Sequence, residues 1–167
     1  SGSDDLSVIY GDGSGGFAPP QSLPVGTNPQ QVITGDFDGD GHTDLASANF
    51  NSSDVSVIKG SGFGGFAPAV NYPVAGSPSG LATGDLDGDG NADLETANIY
   101  SGNLSILTGD GTGHFGPGPN IPGFGRPASV TIADLNGDGS PDLIVPDGSS
   151  ANVAVHLGDG SGGFGAP

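Results

Sequence analysis

The chain repeats itself every 49 residues, and that period limits its fold more than any other feature. Phe17, Phe66, Phe115 and Phe164 keep the step, as do Pro29, Pro78 and Pro127. Asp36, Asp85 and Asp134 keep it too, with no insertion or deletion between them. The 167 residues hold about 3.4 periods. Gly and Pro supply 48 of those residues, a fraction that would suggest low complexity if it had no period. With a period, it suggests many short elements joined by tight turns.

Within one period, residues 31–37, 44–50, 55–59 and 66–74 read as strands. An Asp-rich loop, the turn cluster 51–54 and the Gly-rich turn 60–65 separate them. The last strand carries prolines, as an edge strand can. Residues 93–98 have a composition that a helix would accept. Their counterpart in the next repeat runs from Pro141 to Pro146 around an apolar β-branched stretch, and a helix interior refuses that. The expected fold is therefore all-β, built of β-propeller blades of four antiparallel strands, about 3.5 blades per chain. A β-solenoid is the alternative, though its repeats are usually shorter. The expected divisions are a half blade at 6–25, blades at 30–74 and 79–123, and a blade at 128–167 with its last strand truncated.

Each repeat also carries D-x-[DN]-x-D-G-x-x-D. The three copies are Asp36, Asp38, Asp40, Gly41, Asp44; Asp85, Asp87, Asp89, Gly90, Asp93; and Asp134, Asn136, Asp138, Gly139, Asp142. Carboxylates this close repel one another unless a cation neutralises them. Oxygen ligands at alternating positions suit a hard cation, and calcium accepts six to eight oxygens at about 2.3–2.6 Å. Glycine at position 6 permits a sharp turn. Position 7 would contribute a backbone carbonyl, from His42, Asn91 or Ser140, and position 9 a last carboxylate. An EF-hand loop begins the same way but needs Glu at position 12, where this chain has Ser47, Thr96 or Val145. Magnesium fits less well, because it prefers few protein ligands in rigid octahedral geometry. A single such loop could be a polar turn; three in phase point to metal. About three calcium ions per chain are expected, which would bring the formal charge from −17 to −11. Asn136 leaves the third loop one charge short, so its affinity should be lowest.

These loops resemble those of FG-GAP repeats, also called VCBS-type repeats, as in the integrin alpha-subunit propeller. The naming motif stands at Phe164-Gly165-Ala166-Pro167. Variants stand at Phe17-Ala18-Pro19-Pro20, Phe66-Ala67-Pro68-Ala69 and Phe115-Gly116-Pro117-Gly118. The resemblance covers almost the whole chain. It implies four-stranded blades around an axis, calcium in the loop between the first two strands of each blade, and secretion or cell-surface display.

Charge excludes other functions. Lys59 and Arg126 are the only strong cations, against 18 Asp and Glu95. No basic face can be built for nucleic acid or anionic lipid. No apolar run approaches the ~20 residues of a membrane span, so membrane insertion is not expected. The chain has no Cys and hence no disulfide or thiolate site. Ser1-Gly2-Ser3 reads as a cloning remnant, which leaves room for a removed leader.

No catalytic set repeats. His42, His114 and His156 fall at different phases and read as surface residues. Arg126 reads as half of a surface ion pair, and Tyr10, Tyr72 and Tyr100 as strand residues rather than sugar platforms. Paired carboxylates serve glycoside hydrolysis only when one of them holds a proton, and calcium ligands are ionised. The expectation is a non-enzymatic, calcium-binding segment for extracellular recognition or adhesion, with a glycan or protein ligand. A purely structural fragment is the runner-up, and part of a polysaccharide lyase comes third. An open arc exposes edges. A homodimer closing a seven-bladed ring, with residues 6–25 exchanged between chains, would cover them.

Overall fold

The computed structural model describes residues 3–166, and among them the turns divide the chain into 13 short strands and no helix. All the sheets are antiparallel and follow one another in sequence. β1 (Asp5–Val8) and β2 (Gln21–Pro24) form an N-terminal ribbon. β3 (Pro29–Gly35), β4 (Asp44–Asn49), β5 (Asp54–Ile58) and β6 (Val70–Pro73) make the first blade. β7 (Pro78–Gly84), β8 (Asp93–Asn98), β9 (Asn103–Gly109) and β10 (Phe115–Pro122) make the second. β11 (Thr131–Ala133), β12 (Asp142–Asp147) and β13 (Asn152–His156) make a three-stranded third blade.

Period-2 alternation gives each blade two apolar faces, one for each neighbour. Phe37, Ala46, Ala48, Val55 and Val57 cover one face of the first blade and pack on Leu81, Leu94, Leu107 and Phe115 of the second. The second blade repeats this one period later, with Leu86, Ala97, Leu104 and Ile106 against Val130, Leu143 and Val145 of the third. The ribbon covers the outer part of the first blade's other face, through Leu6, Val8, Leu23 and Val25 on Leu45 and Ile58. The residues expected to be exchanged between chains therefore lie here on their own first blade.

The innermost strands approach closely. A Cβ on Gly80 of β7 would stand 2.6 Å from the Ser129 Cα, so only glycine fits there. The blades form an arc of all-β propeller-blade repeats that does not close on itself.

Strand boundaries differ from the sequence reading mainly in the fourth strand. In the first blade Phe66 makes only an isolated bridge to Gly60, and the ladder starts at Val70. In the second blade the strand runs the full length from Phe115, with a register shift between Pro117 and Asn120. Gly118 allows this, because a Cβ there would lie 3.0 Å from the Ile106 carbonyl; Ala69 holds the matching place in the first blade. In the third blade the chain begins the fourth strand with the bridge Gly158–Phe164. Pro167 lies outside the described residues.

Candidate metal centre

Each Asp loop joins the first strand of a blade to the second. The loop curls around its own carboxylates. Asp36 Oδ1 accepts the Gly39 amide and Oδ2 the Gly41 amide, both at 2.9 Å. Asp38 Oδ1 accepts from Asp40 at 3.3 Å, and Asp40 Oδ1 from His42 at 2.8 Å. The second loop matches it, with Asp85 on Gly88 and Gly90 and Asp89 on Asn91. So does the third, with Asp134 on Gly137 and Gly139 and Asp138 on Ser140. Position 6 is left-handed in every copy, with φ of +82° at Gly41, +88° at Gly90 and +89° at Gly139.

This geometry brings carboxylate oxygens together. Those of Asp36, Asp38 and Asp40 lie within 4.8 Å of one another, and so do those of Asp85, Asp87 and Asp89. In the third loop the Asn136 amide donates to Asp138 Oδ2 at 2.7 Å. Hydrogen bonds from the Ser140 amide and then Asn136 hold the Asp138 carboxyl below its ordinary range.

Position 9 ties the loop to the sheet. Asp44, Asp93 and Asp142 are fully buried. Asp44 Oδ2 accepts the Phe37 amide at 2.8 Å and Oδ1 the Gly60 amide at 2.7 Å. Asp93 accepts from Leu86 and Gly109, and Asp142 from Leu135 and Gly158. Each therefore ties its loop to the end of the third strand. Burial raises the pKa of Asp44 and Asp93 against the pull of those bonds. Neither belongs to the three-carboxylate clusters, although each oxygen keeps a free lone pair.

A family profile for the FG-GAP-like repeat matches residues 1–47, 36–94 and 96–145. The chain belongs to the FG-GAP-like repeat family. No curated protein matches it. The third match starts in β8 and ends in β12, so an FG-GAP unit in the sequence spans two blades. FG-GAP repeats often bind calcium and are typical of extracellular proteins. Among the described residues no helix is long and apolar enough to cross a membrane.

The sequence reading of this FG-GAP chain missed a second set of Asp turns, between the third and fourth strands. Asp12 Oδ1 accepts the Ser14 and Gly16 amides at 2.8 and 2.9 Å, and Asp159 repeats this with Ser161 and Gly163. Those bonds lower both carboxyl pKa values. The signal was present as G-D-G at 11–13, 109–111 and 158–160, with Ser61 in place of Asp in the remaining copy, but it read as Gly-rich turn. These turns reach the neighbouring Asp loop. The Gly162 amide donates to the Leu86 carbonyl at 3.1 Å, and a Cβ on Gly113 would lie 3.2 Å from the Asp38 Cβ.

Lys59 Nζ bridges the same gap, 3.3 Å from Asp38 Oδ2 and 3.1 Å from the Thr112 carbonyl. It forms the one salt bridge among the described residues. Among the described residues the ion pair expected of Arg126 is not formed; its backbone amide donates to Asp147 Oδ1 at 2.8 Å instead. His156 was read as a surface residue, yet it is buried, with Nδ1 2.7 Å from the Gly165 carbonyl. It stands where Ile58 and Leu107 fill the other seams. The His42 ring lies over Gly62, and His114 Nδ1 is 3.5 Å from the Tyr72 hydroxyl. Tyr10 and Tyr72 donate to the Gly64 and Gly113 carbonyls. Tyr100 is exposed and meets Phe50 edge-on, with centroids 5.5 Å apart.

Proposed function

We propose that this chain is a calcium-binding propeller segment of a secreted or cell-surface protein, non-enzymatic, acting in recognition or adhesion. The observation that carries the reading is the pair of three-carboxylate clusters set 49 residues apart on matching loops. A third loop of the same shape supports about three ions per chain. The oxygen-only donor set fits calcium, and weak extracellular-type sites in the ~10⁻⁴–10⁻³ M range would fill only outside the cytosol. A ligand that binds the folded state alone stabilises it by RT ln(1 + [L]/Kd). Calcium should therefore raise the unfolding temperature well above the value in chelator, and magnesium should do so far less. Equal melting curves in calcium and chelator would overturn the reading. A glycan screen in calcium tests recognition. Tyr100→Ala is the variant to follow it with, since an exposed aromatic face suits a sugar ring.

A further inference from the structure

The third blade turns an apolar face to solvent. Register places Ile144 beside Val155 and Pro146 beside Val153 on that face, and Leu135 stands where Phe37 and Leu86 stand in the other blades. Val153 is 62% exposed and Val155 37%. Their counterparts Val55, Val57, Leu104 and Ile106 are at most 3% exposed, because the next blade covers them. The other end of the arc presents the matching surface. A groove of about 520 Å³ runs between β1 and β3, lined by Leu6, Val8, Ile9, Val32 and Leu45 among others. Val32 is 49% exposed there, whereas Leu81 and Val130, one and two periods later, are buried in seams at 2% and 7%.

We propose that the chain self-associates by seating the exposed face of the third blade in the β1–β3 groove of a second copy. The two internal seams show what such a face takes: the opposite face of another blade of this repeat, centred on the residue at the Val32 position. A two-fold arrangement forms the contact twice and covers both ends of both copies. The contact does not depend on bound metal. A two-fold axis along a ring also needs an even number of sheets. The seven-bladed ring expected from the sequence has no such axis. Three blades per chain give six around the closed dimer, with the two ribbons besides. Each β1–β2 ribbon stays on its own first blade, in place of strand exchange.

The test is solution mass by light scattering, at about 0.15 M salt to screen the charge of −17 per copy, once with calcium and once with chelator. The wild-type chain should be a dimer. Val155→Asp and Val32→Asp, both at exposed positions, should each be monomeric with unchanged far-UV circular dichroism. Mixing the two variants should restore a heterodimer, since one intact face then meets one intact groove. A monomeric wild type in both buffers overturns the proposal, and so does a dimer that Val155→Asp leaves intact. The melting curves in the two buffers report metal binding separately, so the two failures can be told apart.

Discussion

Gln31 holds both backbone groups of Leu81: its Nε2 donates to the Leu81 carbonyl and its Oε1 accepts the Leu81 amide, each at 3.0 Å. The side-chain amide thus extends hydrogen bonding from β3 to β7, between blades that share no ladder. Truncation would strand two peptide groups at the seam. Gln31→Ala should cost about 1–3 kcal/mol in urea unfolding. A cost under about 0.5 kcal/mol, the range of ordinary surface changes, would mean that water replaces the clamp.

Asp44 and Asp87 both belong to the repeated motif, but they should behave differently. Asp44→Ala leaves the amides of Phe37 and Gly60 without their carboxylate. It should lower stability by at least about 2 kcal/mol in calcium and in chelator alike. Asp87→Asn keeps an oxygen for the Asp89 amide and removes one charge from its cluster. It should reduce the calcium-dependent rise in melting temperature and leave the chelator curve in place. A large loss in chelator for Asp87→Asn would show that position 3, too, holds the loop together.

The period made the blades legible, because a repeat of 49 residues with four apolar stretches leaves few architectures. It also made the acidic loops legible. The buried polar ladder was not. Asn49 Nδ2 donates to Ser56 Oγ at 2.8 Å, Ser56 Oγ donates to Asn71 Oδ1 at 2.8 Å, and the Gly26 amide reaches Ser56 from the ribbon at 3.0 Å. Ser105 and Asn120 repeat the second bond. Asn and Ser in a strand read as surface until register and the neighbouring blade are known. The structural bonds of Asp44 were hidden for the same reason: its partner Gly60 is 16 residues away and meets it only once β4 and β5 have paired.

Glu95 stands where the other blades have Ala46 and Ile144, fully buried with no hydrogen-bond partner for either oxygen among the described residues. Burial pushes its pKa from an ordinary 4.5 up to about 8. Below the lower value both folded and unfolded chains hold the proton, and Glu95 costs nothing through ionisation. Between the two values the unfolded chain ionises while the folded one does not, so stability falls as pH rises. Above about 8 both are ionised and the loss levels off. The full swing is on the order of 5 kcal/mol. Glu95→Ala should be more stable than the wild type at pH 8 and lose that advantage towards pH 5. A stability difference independent of pH would mean that Glu95 finds a charged partner in the fold.

The three Asp loops should not take calcium equally, and Lys59 sets part of the difference. Its ammonium lies 3.3 Å from Asp38 in the first loop, while Thr108 and Leu157 hold the corresponding places beside the second and third. A fixed cation there repels an incoming calcium ion and competes for an Asp38 oxygen. The second loop keeps three clustered Asp residues with no such neighbour, and the third has Asn136 in place of an acid. Affinity should therefore fall from the second loop to the first to the third. Lys59→Thr, which copies the second repeat, should strengthen one class of site in calcium titration calorimetry by a few-fold, and more at low salt because the pair is partly exposed. Asn136→Asp should strengthen another. If Lys59→Thr weakens binding instead, its bond to the Thr112 carbonyl must be what keeps the first loop in shape.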